Sequence, residues 1–439
     1  GDCGWEAAAG GGGGVTSDAL RNTLGGTNAG DSLDGGSESS DNTFFGYDAG
    51  TDITDGRKNT FIGSYAGANT NSGTYHNTFI GYQAGENNGN GHWNTGIGSG
   101  ALQSNAAWQN TGVGAYAGNA NTTGTKSVFL GRSAAMANTT GSYNIAIGYE
   151  SLKSNTTGSD NIAIGWEALK SGAAHTQTIA IGTGVFSQGA DSYNTAIGYY
   201  ACRWQTGDSN VAVGHSALHY GTDCDDNVAI GYYAMHGNSS SPCSGDKNVA
   251  VGYEALKVYD TAASNTSIGY RSGKAVTTGA DNTILGVEAG DALTTGSNNL
   301  ILGHDAAASA VTVSNEITLG DSNITKFRIP GINFVVKDTT ATENYVLTVD
   351  SNGEAGWEAA SGGGGGGSPG GSNTQLQYNS SGSFAGSSNL TFDGTNLTVG
   401  GTVTATSTAL ATGGVRKIFT SESSPQASDG AVGDIWLKY

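Results

Sequence analysis

The chain is 439 residues long, with 74 glycines, 4 prolines, 13% charged residues and a formal net charge of −19. Glycine does not recur at every third position, which excludes collagen, and Ile, Val and Phe return on a fixed period, which argues against disorder. The acidic balance repels phosphate backbones, so no nucleic-acid partner is expected. No run of 18 apolar residues exists, so no membrane insertion is expected either.

Residues 1–20 open with GDCGWEAAAGGGGG and read as a glycine-rich linker. They show no basic stretch followed by an apolar run, and so no secretory signal. From 21 to 320 the chain repeats itself. Aligned on the glycine of N-x-x-x-G there are 18 copies, from Asn22 to Glu316, and 14 of the 17 intervals are 16 or 17 residues. The pentapeptide NIAIG stands at both 144 and 161. Every copy ends on glycine, among them the expected corner residues Gly63, Gly81, Gly148, Gly165, Gly198, Gly231 and Gly269.

Inside each copy the period is two. The second and fourth positions are Thr, Ile, Val or Leu in nearly all copies and share one face of a short strand. The fourth-position residues Ile62, Ile80, Ile147, Ile164, Ile197, Val213, Ile230, Val251 and Ile268 are therefore the expected core or inter-chain packing row. The third position points the other way. It changes from Phe (Phe44, Phe61, Phe79) to Ala (Ala146, Ala163, Ala212), which suggests a change of width along the packing surface.

After the glycine come an aromatic, a variable residue and a small one, as in Tyr82-Gln83-Ala84, Tyr149-Glu150-Ser151 and Trp166-Glu167-Ala168. This reads as a second, shorter strand with a small inward residue, and the remaining Asn, Thr, Ser, Gly and Asp read as turn. Each unit is then strand, glycine corner, short strand, turn. Stacked, the units predict an all-β chain: a parallel β-solenoid of about 18 short rungs. Two or three apolar side chains per rung, at about 1.5–3 kcal/mol each, must offset ordering every residue of the turn at about 1–2 kcal/mol. A single chain is marginal on that balance, so a homotrimer or similar assembly is expected.

Around 315–330 the repeat dissolves. Residues 321–361 read as a small β connector domain, with INFVVKD and NYVLTVDSNGEAGWEAAS as hairpin material. Residues 362–372 are by composition a flexible polyglycine linker, with a polyglycine helix packed across a trimer as the sharper alternative, 373–412 a short β module with an Asp393-Gly394 hairpin signal, and 413–439 a C-terminal tip carrying Ile435, Trp436, Leu437 and Tyr439. GWEAAAGGGGG from Gly4 and GWEAASGGGGG from Gly356 are nearly one string. One building module, a β-domain end followed by a glycine hinge, therefore occurs twice, which implies that the native protein extends before residue 1.

No catalytic constellation is visible. The seven histidines are dispersed, without HExxH, and acids such as Asp52 and Asp55 lie scattered in turns. Asp223, Asp225 and Asp226 crowd together but lack the spacing of a calcium loop, so solvated turn acids are the simpler reading and neither metal nor cofactor is expected. Cys224 and Cys243 precede successive repeats and are a candidate disulfide, with small apolar residues as the alternative. The aromatics after the glycine share one register, so Tyr149, Trp166 and Tyr199, with Trp436 at the tip, are candidate glycan-binding residues. The plainer alternative is a ladder of rings that shields the corner.

The motif N-x-(A/V/F)-I-G-x-x-(A/S) resembles the left-handed parallel β-roll heads of trimeric autotransporter adhesins, and equally the related rolls of bacteriophage tail fibres, over about residues 21–320. The passage from roll to small β domain, and G-D-I-W at 433–436, resemble segments of such fibres. The resemblance implies a non-enzymatic, structural and adhesive fibre of a phage tail. It would be an extracellular, virion-borne homotrimer that meets other tail proteins and a host-surface glycan or protein receptor, with the C-terminal bead facing the receptor. Two rival readings are a bacterial surface adhesin of the autotransporter kind, which a C-terminal anchor in the full gene would favour, and a tailspike-like glycan depolymerase, which release of reducing ends would favour. An ice-binding solenoid wants a flat Thr-x-Thr array, whereas Thr here alternates with Ile and Val.

Overall fold

The computed structural model describes residues 15–35, 39–189, 192–239 and 244–326, and the C-terminal segments 345–349, 355–359, 375–380, 383–400, 418–421 and 435–438. All regular elements among them are strands. Two compact units are present, Gly1–Phe327 and Arg328–Tyr439.

The first unit is a β-solenoid. Strand β1 (Val15–Ser17) lies antiparallel on β2 (Thr23–Gly25). From β2 to β19 (Ile317–Leu319), eighteen three-residue strands pair parallel with their sequence neighbours, giving seventeen turns. Register is strict: Ile145, Ala146 and Ile147 face Ile162, Ala163 and Ile164, and these face Ile179, Ala180 and Ile181. Equal sequence positions stack because the Asn-to-Gly spacing never varies, and all variation in length falls in the turns.

The interior is lined by the third strand position, not the fourth. Phe44, Phe61, Phe79, Ala146, Ala163 and Ala212 are wholly buried. The fourth-position row stands on the outer face instead, with Ile62 39% and Ile230 38% exposed and Ile80, Ile147, Ile164, Val213 and Val251 half-buried. Successive strand residues must point to opposite faces, and a coil one short strand wide has room for one of them inside. Where Phe gives way to Ala, a different position of the unit supplies the bulk. Phe61 lies over Gly67 and Phe79 over Gly85, while the Ala146 and Ala163 rungs carry Leu152 and Leu169 at the corresponding place, both fully buried. The bulky group switches from one side of the coil to the other.

The stretch after the corner glycine is a turn rather than the expected second strand. Glu150 and Leu152 have φ of +54° and +52°, and Glu167 and Leu169 both +53°. The backbone still bonds both neighbouring rungs: Glu150 N–H donates to Arg132 O at 3.0 Å and Leu152 N–H to Ala168 O at 2.9 Å. The residue before each Asn position is also left-handed in all eighteen copies, from Arg21 (φ +66°) to Asn315 (φ +63°). A non-glycine residue in that region costs about 1–2 kcal/mol. The corner glycine itself has no substitute: at Gly81 (φ +135°) an added Cβ would lie 2.6 Å from Gly98 O.

The first-position Asn explains how so thin a coil satisfies its buried backbone. Asn282 N–H and Nδ2 both donate to Asn265 Oδ1, at 3.0 and 2.9 Å, and Nδ2 also donates to Gly296 O at 2.9 Å. The same contacts recur rung after rung, and Ser127 continues them by donating its N–H to Asn110 Oδ1 and accepting from Asn144 N–H on its Oγ. A second buried row, Asn88, Asn105, Asn121, Asn138 and Asn155, runs parallel to the first in the turns. The first row begins on a carboxylate and ends on the backbone of an acid. Asp18 accepts from Asn22 N–H at 2.9 Å and Nδ2 at 2.8 Å. At the other end Glu316 N–H donates to Asn299 Oδ1, while the Glu316 carboxylate folds back onto Ser309 and Thr318.

In the second unit, β20 (Tyr345–Val349) and β21 (Ala355–Ala359) pair antiparallel, the hairpin expected in NYVLTVDSNGEAGWEAAS. Strands β22 (Gln375–Ser380), β23 (Ser383–Phe392) and β24 (Leu397–Val399) form an antiparallel sheet. The Asp-Gly signal is its second turn: Gly394 has φ +94°, and Asp393 Oδ1 accepts from the N–H groups of Thr395 and Asn396 at 2.8 and 2.6 Å. Strands β25 (Ile418–Ser421) and β26 (Ile435–Lys438) pair in parallel. INFVVKD and the glycine runs at 1–14 and 362–371 lie outside the described residues.

Candidate functional site

Because strands stack in register, each position of the unit becomes a row along the outside of the solenoid, and three rows carry chemistry. The first is the outer strand face, where fourth-position Ile, Val and Leu run beside second-position Thr, Ile and Val as a continuous apolar stripe.

The second row holds the residue just after the corner glycine. Tyr199, His215, Tyr232, Tyr253 and Tyr270 form one stack with ring centroids 5.0–5.2 Å apart and interplanar angles of 26°, 26°, 4° and 15°. Tyr149 and Trp166 form a separate, nearly parallel pair at 6.4 Å, with Arg132 over the Tyr149 ring. Thr183 occupies the row between the two stacks, so Tyr199 does not join Tyr149 and Trp166. Within the five-ring stack His215, Tyr232 and Tyr253 have a neighbouring ring on both faces. That geometry suits the shielding role better than sugar stacking along the row. Trp436 belongs to β26, and its side chain lies outside the described residues.

The third row is acid–base. Two places after the corner stands Glu150, Glu167 or Glu254, and three further on stands Lys153, Lys170 or Lys257, each paired with the Glu of its own rung at 2.6–2.8 Å. Lys170 also reaches Glu150 on the preceding rung, and Arg271 reaches Glu254. Hydrogen bonds from Lys153 and Lys170 hold the Glu150 carboxyl at about 2, well under its ordinary 4.5.

Between these pairs the rule breaks. Around residues 200–236 the acid positions hold Tyr200, Ser216 and Tyr233, and the basic positions hold Arg203, His219 and His236. Arg203 lies 4.4 Å over the Tyr200 ring and 5.6 Å from the Trp204 ring, with no carboxylate within salt-bridge distance among the described residues. His219 stacks on His236 at 5.1 Å, and burial, reinforced by His236, pulls its pKa down to about 4. Both imidazoles are therefore neutral near pH 7. On the solvent side a cleft of about 410 Å³ opens, lined by Arg203 and Trp204, Tyr220 and Thr222, and Asn238 and Ser239 from three successive rungs.

Asp223, Asp225 and Asp226 do not converge on one point. Asp225 Oδ1 accepts from Asp208 N–H at 2.7 Å, and Asp225 N–H donates to Asp246 Oδ1 at 2.9 Å, which places Asp225 in another inter-rung ladder. Among the described residues His304, Asp305 and Asp321 bring one ligand atom each to within 4.8 Å. Three donors, two of them exposed, fall short of the about six to eight oxygens that calcium takes. Cys202 and Cys224 are buried, and burial pushes the Cys202 thiol well above its ordinary pKa. Cys243, and with it the Cys224–Cys243 bridge, lies outside the described residues.

The fold thus defines the class: a parallel β-solenoid of short rungs with side-chain ladders. No protein-family model, no curated protein and no solved structure matches the chain. Sequence reasoning missed the Asn ladder and the broken acid–base row. The first was signalled by Asn at 15 of the 18 first positions, and the second by Glu-x-x-Lys in some rungs and its loss at Tyr200–Arg203.

Proposed function

We propose that the chain is a structural and adhesive fibre protein of a bacteriophage tail, working as a homotrimeric rod outside the cell and mediating attachment to the host surface. One observation carries the assembly. From Phe45 to Leu319 the outer strand face repeats an apolar residue on every rung, at least partly exposed in a chain whose interior is already filled. A contiguous apolar stripe of that length marks an interaction surface, and an in-register row is matched in length and spacing by the same row of an identical chain. The phage origin rests on the resemblance of the rung motif and of the roll-to-β-module passage to tail fibres.

Sedimentation of the full chain tests the assembly. A trimer is expected, and Ile147→Lys with Ile164→Lys and Ile197→Lys should convert it to monomer. A monomeric parent chain overturns it. Attachment is tested by competition: purified chain should block adsorption of the particles that carry it, and no block at saturating concentration counts against the adhesive reading.

A further inference from the structure

We infer that the cleft over Arg203 and Trp204 is a binding site for an acidic saccharide, a pyranose ring bearing a carboxylate. The acid–base row breaks at Arg203. In the rungs of Lys153, Lys170 and Lys257 the cation is neutralised by a Glu of its own rung. At Arg203 that position is Tyr200, and the guanidinium is held over a ring instead of beside an acid. Its Nε is buried without a hydrogen-bond partner. The next two basic positions, His219 and His236, have their pKa values lowered by burial. The cleft therefore keeps one positive centre near neutral pH, in a chain whose net charge is −19.

Around that centre stand the groups a sugar ring needs. Trp204 is 43% exposed and lines the cleft with an aromatic ring, the kind of group that packs against the C–H side of a pyranose. Tyr220, Thr222, Asn238 and Ser239 line the same cleft with hydroxyl and amide groups that both give and accept hydrogen bonds, as ring hydroxyls require. A guanidinium is the side chain that pairs a carboxylate in two parallel bonds. The volume of about 410 Å³ falls in the range of about 300–1,000 Å³ usual for small-ligand sites. Three consecutive rungs contribute, so the site exists only where turns are stacked. It lies on the flank of the solenoid and rests on its own lining. Only the source of the saccharide, a host-surface polymer, rests on the adhesive reading above.

The test titrates the full chain with a short oligogalacturonate and with the corresponding neutral oligogalactoside, by calorimetry and saturation-transfer NMR. The acidic oligomer should bind at least about tenfold tighter than the neutral one. Arg203→Gln should erase that preference, and Trp204→Ala should weaken both ligands about tenfold, with circular dichroism and sedimentation unchanged. Absence of binding by either oligomer, or an unaltered preference in Arg203→Gln, overturns the inference. The sedimentation record keeps the two readings apart. A monomer that binds the uronate sinks the fibre and leaves the site, whereas a trimer that ignores it does the reverse.

Discussion

The early rungs and the middle rungs solve one packing problem in opposite ways. In the rungs of Phe44, Phe61 and Phe79 a benzyl group comes from the strand and stacks on its neighbours, with Phe44–Phe61 centroids 4.8 Å and Phe61–Phe79 centroids 5.2 Å apart. The far side of the coil then carries Gly50, Gly67 and Gly85, where a Cβ would press on those rings. In the rungs of Ala146, Ala163, Ala212 and Ala250 the strand gives a methyl, and Leu152, Leu169, Leu218 and Leu256 supply the bulk from the turn. The solenoid conserves interior volume per rung rather than residue identity at a position. The outer rows differ too: the early rungs carry neutral or singly charged amide contacts such as Gln103–Glu86 and Asn69–Asn87, and the middle rungs carry Glu–Lys pairs.

The sharpest break of this comparison is Phe61→Ala, which leaves a benzyl-sized void over Gly67 and should cost about 3–5 kcal/mol in chemical denaturation. Adding Gly67→Leu should return most of it. The residual deficit is that of a left-handed Leu, about 1–2 kcal/mol, because Gly67 has φ +57°. Ala163→Phe runs the exchange the other way. It overfills a rung that already holds Leu169, at about 1–3 kcal/mol, and Leu169→Gly should relieve it. If either double variant is no more stable than its single parent, volume is not the conserved quantity.

The outer rows give a smaller contrast, read through pH. Glu150 holds its proton near pH 2 folded and near its ordinary 4.5 unfolded, so its contribution is present above about 4.5 and is lost as pH falls toward 2. Lowering the pH from 7 to 3 should therefore increase hydrogen-exchange opening more at residues 145–170 than at 60–80, and Glu150→Gln, which lacks the charge at both pH values, should abolish that pH-dependent difference. The smallest effect expected is that of Tyr253→Leu, which deletes two ring stacks on the outer row for about 0.5–1.5 kcal/mol each.

Much of the solenoid was legible because a fixed repeat forces equal positions to stack. The Gly corner announced itself by having no exception, and the inward Ala84, Ser151 and Ala168 followed from their small size. The orientation of the strand was not legible. Period two says that Ile147 and Ala146 face opposite ways, yet hydrophobicity favours Ile inside, and the limit imposed by a narrow interior is a property of the closed coil. The turn after the corner was misread for a related reason. Alternating contact with the rungs on either side mimics a strand, while Glu150 and Leu152 hold left-handed φ values that no residue-type signal gives away. The cleft at Arg203 was hidden because its meaning is a departure from a row that only the stacked rungs reveal.

A ladder that replicates itself from rung to rung contains no internal instruction to stop, and an open parallel edge invites another chain to continue it. Here the first turn lies under the reversed strand β1, and the Asp18 carboxylate takes the hydrogens that a preceding amide would have taken. At the far end Glu316 spends its carboxylate on Ser309 and Thr318. Two acids, one at each terminus of the amide row, thereby act as stoppers. The span of the stack is written into the sequence at both of its ends.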